Sequence, residues 1–123
     1  MAKKLLIVDD ASAIRKAICQ IVEPLGFDVA EAEDGEQALA YCMRESVPEG
    51  ILLDIDMPIM DGLSFLRVIR QNARYDTSQV VMCTTHNSIE RVSEALSAGA
   101  NEYVMKPFDQ DIIKLKLEAV GLI

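Results

Sequence analysis

The sequence contains no tryptophan, one histidine and only three cysteines among its 123 residues. Cys19, Cys42 and Cys83 are odd in number, widely spaced and set among apolar residues. This arrangement is typical of buried free thiols in a reducing cytoplasm, and it excludes a disulfide framework as the basis of the fold. No pair of Cys residues, or of Cys and His residues, has the spacing of a zinc site.

Positive charge is also scarce, because 12 Lys and Arg residues stand against 20 Asp and Glu residues, for a net charge of −8. An acidic surface repels the phosphates of nucleic acids and the headgroups of anionic lipids. No hydrophobic run is long enough to span a bilayer, and the first apolar run stops at Asp9 and Asp10, too early for a signal peptide. We therefore expect a cytoplasmic monomer whose partners are proteins or cations, with no nucleic acid and no membrane among them.

Short apolar runs alternate along the chain with segments in which apolar residues recur at helical spacing. The runs predicted to form strands are Lys3–Val8, Asp28–Ala32, 51–53, Gln79–Cys83 and Glu102–Met105. The segments predicted to form helices lie near 14–22, 36–44, 63–69, 89–96 and 112–120, and Ser12 is a candidate cap for the first of them. This alternation predicts an α/β fold, a three-layer α/β/α sandwich around a five-stranded parallel sheet. The pattern alone leaves the strand order open.

Polar residues follow four of the predicted strands at the point where each strand ends. They are Asp9 with Asp10, then Asp54, then Thr84, then Lys106. The carboxyl ends of parallel strands share one edge of a sheet, and open α/β sheets bind their ligands there. The sequence therefore predicts a single site made from four distant segments.

Carboxylates gathered at one edge repel each other, by roughly 4 kcal/mol for a pair about 4 Å apart at an effective dielectric near 20. A positive charge has to neutralise them. Hard oxygen ligands from few protein groups suit Mg²⁺, which usually bridges carboxylate and phosphate oxygens. We expect Mg²⁺ as the cofactor and Lys106 as a second source of positive charge.

Together with their flanking residues, these positions resemble the receiver domain of two-component response regulators. The segments that carry the resemblance are Leu6–Asp10, Leu53–Gly62, Thr84 and Tyr103–Phe108. They stand at the spacings of that family, and the likeness covers the whole chain. It implies the flavodoxin-like strand order 2-1-3-4-5, in which the first and third strands are neighbours.

The resemblance also implies a role for each residue of the site. Asp54 would accept a phosphoryl group from a histidine kinase or a histidine phosphotransfer protein. Mg²⁺ would be held by Asp10, Asp54 and the backbone carbonyl of Asp56, with Asp9 acting largely through water. Lys106 would contact the phosphoryl group, aimed inward by a cis bond to Pro107.

Two further sets of residues are expected to convert phosphorylation into a signal. Thr84 and Tyr103 would form a switch, in which the hydroxyl moves toward the phosphoryl oxygens and the ring turns into the space it leaves. The surface read by a partner would be the fourth helix, fifth strand and fifth helix, with Arg91, Tyr103, Lys114 and Lys116 exposed.

Three residues near the expected site depart from the common pattern of the family. Thr85 is bulkier than the small residue usual after the switch threonine. His86 and Asp56 would flank the water that attacks the phosphoryl group. We expect these residues to tune how long the phosphorylated state lasts, and replacement of both His86 and Asp56 by alanine to change the dephosphorylation rate.

These expectations describe a single receiver domain over residues 1–123 without an output domain. It would be a phosphoacceptor signalling protein rather than an enzyme, apart from slow dephosphorylation of itself. The segment Tyr103–Phe108 favours a stand-alone chemotaxis-type regulator over a single-domain phosphorelay shuttle. The expected target of such a regulator is the flagellar motor switch. Two other interpretations stay open: a degenerate receiver that binds partners without phosphorylation, and a haloacid-dehalogenase-like phosphatase with Asp54 and Asp56 as its motif.

Overall fold

Five strands and five α-helices alternate in the computed structural model, which describes residues 2–85 and 89–123. The strands are β1 (Lys4–Val8), β2 (Asp28–Ala32), β3 (Gly50–Leu53), β4 (Gln79–Thr84) and β5 (Glu102–Met105). The helices are α1 (Ser12–Val22), α2 (Gly35–Arg44), α3 (Gly62–Arg70), α4 (Ile89–Ser97) and α5 (Gln110–Ala119). Short 3₁₀ helices at Glu23–Leu25 and Ala73–Tyr75, which the sequence pattern did not predict, follow α1 and α3.

The strands form one parallel sheet in the order β2-β1-β3-β4-β5, which confirms the expected topology. Successive residues of a strand point to opposite faces, so the sheet separates two hydrophobic cores. In β1, Leu6 and Val8 pack into the core beneath α2 and α3, whereas Leu5 and Ile7 pack into the core beneath α1 and α5. Burial on both faces explains why β3 and the central residues of β1 and β4 are apolar.

Aspartates begin three of the helices. Asp34, Asp61 and Asp109 cap α2, α3 and α5, each accepting a hydrogen bond from a backbone N–H in the first turn. The prediction that Ser12 caps α1 is wrong, because Ser12 is already the first helical residue and the N-cap is Ala11. The N–H of Ala11 donates instead to Asp9 Oδ1, at 2.9 Å. A residue of the expected site thus also organises the start of α1.

The cysteines are buried and free, as the sequence predicted. Burial raises the pKa of Cys83 to about 12 and that of Cys42 to about 11, and it also raises the pKa of Cys19. The thiols are therefore protonated at neutral pH, and they behave as small apolar residues. Within residues 2–85 and 89–123, the helices are too short or too polar to cross a bilayer.

The guanidinium of Arg70 joins three segments at the end of α3. It donates to the carbonyls of Tyr75, Ser78 and Gly99 and to Oδ1 of Asn101, at distances between 2.7 and 3.1 Å. Asn101 Oδ1 also accepts from a backbone N–H of β4. One side chain therefore ties the end of α3 to the turn before β4 and to the turn between α4 and β5.

We expect Arg70→Lys to lower the free energy of unfolding by about 2 kcal/mol, because one ammonium cannot replace a planar group that reaches four acceptors. Urea denaturation measures the loss. The matched control is Arg67→Lys on the same helix, where the side chain is 52% exposed and a change within about 0.5 kcal/mol is expected. Equal effects of the two substitutions would contradict a special role for Arg70.

Candidate functional site

Three aspartates meet at the carboxyl edge of the sheet. Asp9 and Asp10 follow β1 directly, and Asp54 follows β3, the neighbouring strand. Asp54 continues the ladder beyond the strand, because its N–H donates to the carbonyl of Val8 at 2.9 Å. One carboxylate oxygen from each aspartate lies within 4.8 Å of the others, so the predicted cluster is confirmed. Asp9 and Asp54 are buried, whereas Asp10 is exposed.

Lys106 brings a positive charge into this cluster. Its Nζ lies 2.6 Å from Asp9 Oδ2 and 3.5 Å from Asp54 Oδ1. The residue follows β5, and its N–H donates to the carbonyl of Thr84 at 2.8 Å, which fixes the backbone from which the side chain extends. The peptide bond between Lys106 and Pro107 is cis, as the resemblance implied. The ammonium therefore lies between the carboxylates rather than in solvent.

The pKa values of Asp54 and Lys106 are both raised, but for different reasons. Desolvation, followed by repulsion from Asp9, raises the pKa of Asp54 to about 6, although Lys106 opposes the rise. Burial alone would lower the pKa of Lys106, but its hydrogen bond to Asp9 and its attraction to Asp54 outweigh burial and raise it. Lys106 therefore stays charged at neutral pH, while Asp54 is ionised at a cost that a bound cation would relieve.

Arg15 contacts the backbone of Asp9, and the sequence did not predict this contact. Its Nη1 donates to the backbone carbonyl of Asp9 at 2.6 Å, and its Nε lies 2.9 Å from Glu31 Oε1. The side chain is only 11% exposed. In the sequence, Arg15 is a single arginine beside the apolar residues of α1. That pattern does not reveal that its side chain contacts Glu31 on β2.

A close approach of two backbones holds Asp54 in place. A Cβ atom on Gly62, the first residue of α3, would lie 1.9 Å from the carbonyl oxygen of Asp54. The N–H of Gly62 donates to the carbonyl of Ile55 at 2.9 Å. Only glycine permits this packing, so the start of α3 restricts the backbone position of Asp54.

The donor atoms fit a hard divalent cation. They are carboxylate oxygens, with no thiol or imidazole among the clustered residues. Both oxygens of Asp9 already accept hydrogen bonds, one from Lys106 and one from the N–H of Ala11. Asp10 and Asp54 therefore offer the more accessible ligands. Oxygen donors of this kind suit Mg²⁺ better than a soft metal.

The expected switch residues lie on adjacent strands beside the cluster. Thr84 is buried at the end of β4 and pairs in register with Met105, two residues beyond Tyr103. Tyr103 is half-buried, and Lys116 Nζ lies 5.3 Å from the centre of its ring. Four residues were expected to be exposed contacts, and the structure corrects this because each is half-buried: Arg91, Tyr103, Lys114 and Lys116.

Two of the three expected tuning residues, Asp56 and Thr85, lie on the surface. Asp56 is exposed, and its Oδ1 lies 3.9 Å from Arg91 Nη2 on α4. Thr85 is exposed directly after β4. His86 lies outside the described residues.

Comparison with known proteins places this geometry in a family. Residues 5–118 match the family model described as the response regulator receiver domain. The chain is 37% identical over 118 residues to the chemotaxis protein CheY1 of Helicobacter pylori, covering 95% of each sequence. It is 39% identical over 122 residues to the chemotaxis protein CheY of Bacillus subtilis, covering 98% of this chain and 97% of that relative.

The solved structures agree with the sequence comparison. The chemotaxis response regulator CheY4 of Vibrio cholerae superposes with a TM-score of 0.91 at 31% identity, over 98% of this chain and 99% of that chain. A CheY-like receiver domain protein of Methanospirillum hungatei gives a TM-score of 0.88 at 31% identity, over 99% and 96% of the two chains. The fold, the acidic cluster and these relatives lead to one assignment: the chain belongs to the response regulator receiver family.

Proposed function

We propose that this receiver domain is a stand-alone chemotaxis regulator, working in the cytoplasm as a monomer, that is switched on by phosphorylation of Asp54. The proposal is supported mainly by the position of Asp54. This residue is buried, clusters with Asp9 and Asp10, and lies 3.5 Å from the ammonium of Lys106. A carboxylate in that position is both a nucleophile and the centre of a charged pocket. The phosphoryl donor would be a histidine kinase or a histidine phosphotransfer protein.

In the proposed reaction, an oxygen of Asp54 attacks the phosphorus of a phosphohistidine. The new O–P bond forms as the N–P bond of the donor breaks, and the electron pair of that bond stays on the leaving imidazole. Catalysis of such a transfer depends mainly on in-line positioning and on neutralising the equatorial oxygens. Lys106 supplies an ammonium for one of these oxygens, because its Nζ already points at Asp54.

The metal ligands in this proposal are Asp10, Asp54 and the backbone carbonyl of Asp56, with Asp9 reaching Mg²⁺ through water. Bound Mg²⁺ would neutralise charge on the phosphoryl oxygens and on the acidic cluster. The roles of the two N-terminal aspartates are supported by their surroundings. Asp10 is exposed, whereas Asp9 is held by Lys106 and Ala11.

Phosphorylation would then be transmitted through Thr84 and Tyr103. The hydroxyl of Thr84, at the end of β4, would donate to a phosphoryl oxygen, and Tyr103 would turn inward on β5. A groove of about 310 Å³ between β5 and α5 lies beside this ring, lined in part by Met105, Phe108 and Ile112. We propose this face as the docking surface for a target such as the flagellar motor switch.

We also propose that the protein catalyses its own slow dephosphorylation. The phosphoryl group leaves when water attacks phosphorus in line with the O–P bond to Asp54. Asp56, Thr85 and His86 are the candidates for setting this rate, and support comes from the exposed position of the first two beside the acidic edge.

Treatment with acetyl phosphate and Mg²⁺ is expected to add one phosphoryl group, because Asp54 is the buried nucleophile of the site. Intact mass spectrometry detects the adduct. Asp54→Ala and omission of Mg²⁺ should each abolish it. A phosphoryl group that survives in the Asp54→Ala variant would contradict the assignment, and no adduct on any protein would favour a receiver that acts without phosphorylation.

Replacement of Lys106 by methionine should tighten Mg²⁺ binding and slow phosphorylation. The ammonium competes with the metal for the same carboxylates, and its removal should increase the affinity at least about tenfold. Phosphorylation should nevertheless slow, since one cation that meets the phosphoryl oxygens is lost. Calorimetry measures the first effect and the rate of adduct formation the second. Weaker metal binding would show that Lys106 does not compete.

The stability of the metal-free protein should depend on the protonation of Asp54. Its folded-state pKa, near 6, lies above its unfolded value, so the stability contributed by the protonated form is complete below the unfolded pKa and is lost as the pH rises through 6. Asp54→Asn should therefore raise the free energy of unfolding by about 2 kcal/mol at pH 7.5 and by much less at pH 4. Urea denaturation in EDTA at both pH values tests this, and a pH-independent gain would contradict it.

A further inference from the structure

An ion pair links the loop after β3 to the first half of α4. Arg91 Nη2 lies 3.9 Å from Asp56 Oδ1, and Arg91 Nη1 lies 3.0 Å from Glu94 Oε1, one turn along the helix. Glu94 Oε2 in turn lies 3.9 Å from Arg67 Nη2 on α3. Charges of alternating sign therefore run from the loop across α4 to α3.

The loop end of this series lies at the proposed phosphorylation site. Asp56 follows Asp54 by two residues, and its backbone carbonyl is a proposed metal ligand. Its carboxylate is 62% exposed, so the side chain has room to change rotamer. A carboxylate that turned toward the acidic cluster would add negative charge where Mg²⁺ binds. The contact with Arg91 draws it toward α4 instead.

We infer that Arg91 is a positioning residue of the phosphorylation site, which sets the metal affinity by competing with Mg²⁺ for the carboxylate of Asp56. The inference rests on the metal site proposed above, and it adds a residue of α4 to that site. It concerns the side chain of Asp56, whereas the proposed metal ligand is the backbone carbonyl of the same residue.

Competition of this kind works in both directions. If the Asp56–Arg91 contact weakens Mg²⁺ binding, bound Mg²⁺ must weaken the contact by the same factor. Arg91 would then lose its contact with Asp56 and keep its contact with Glu94 on the helix. Metal binding at the sheet edge would therefore alter the first half of α4, independently of the switch proposed for Thr84 and Tyr103.

The geometry suits a contact that is made and broken. Both side chains are partly solvated, with Arg91 38% exposed, and they are separated by 3.9 Å. Ion pairs of this kind change an equilibrium by about 1.4-fold to fivefold. The contact of Arg91 with Glu94 costs little, because a pair at i and i+3 lies on one face of a helix.

A double-mutant cycle tests the inference through Mg²⁺ affinity, which requires no phosphorylation. The proteins are the wild type, Arg91→Gln, Asp56→Asn and the double variant, titrated with MgCl₂ by calorimetry at low ionic strength. Arg91→Gln should tighten Mg²⁺ binding about threefold in the wild type and leave the affinity unchanged in the Asp56→Asn background. Arg67→Gln is the matched control, since it removes the same charge from a side chain that contacts Glu94 rather than Asp56.

Amide chemical shifts give a second measurement. Addition of Mg²⁺ should shift the amides of residues 91–94 in the wild type, and the shifts should shrink in both Arg91→Gln and Asp56→Asn. Equal tightening by Arg91→Gln in the two Asp56 backgrounds would overturn the inference, because it would reflect net charge alone. Tightening by Arg67→Gln equal to that by Arg91→Gln would do the same. If none of the proteins binds Mg²⁺, the metal site itself fails and this inference fails with it.

Discussion

Three aspartates crowded at one edge of a sheet need a cation, and much of the structure follows from that need. Lys106 supplies part of the charge, with its ammonium 2.6 Å from Asp9 and 3.5 Å from Asp54. Burial, followed by repulsion from Asp9, still leaves Asp54 with a raised pKa. The charges of the site are therefore unfavourably placed in the metal-free protein, and a bound cation would relieve their repulsion.

The fold holds this unfavourable arrangement because the backbone around it is rigid. β1 and β3 are buried on both faces, so neither strand can shift without disrupting a hydrophobic core. Gly62 lets α3 approach the carbonyl of Asp54 directly, and this close packing restricts movement of the backbone there. Asp9 is fixed on three sides, by Lys106, by the N–H of Ala11 and, through its backbone carbonyl, by Arg15.

Sequence reasoning located the strand ends and thereby most of the site. The apolar runs of β1 and β3 stop at Asp9 and Asp54 because a buried strand does not readily continue into charged residues, and this signal lies within a few neighbouring positions. The strand order came from the family resemblance, since periodicity says which face of a strand is buried and not which strand lies beside it. For the same reason, the sequence could not predict contacts between elements, such as the contact of Asp56 with Arg91. Their geometry depends on how two elements pack, and each residue alone resembles an ordinary surface charge.

The hydrogen bonds of Arg70 give α4 a fixed end. They hold Gly99 and Asn101, just beyond the helix, to the frame formed by α3 and the start of β4. The opposite end of the helix carries Arg91, which contacts Asp56 in the loop after β3. If α4 tilted about this anchored end, its nine residues would make an arm of about 13 Å. A tilt of about 10° would displace the first turn by roughly 2 Å while the anchor stays in place.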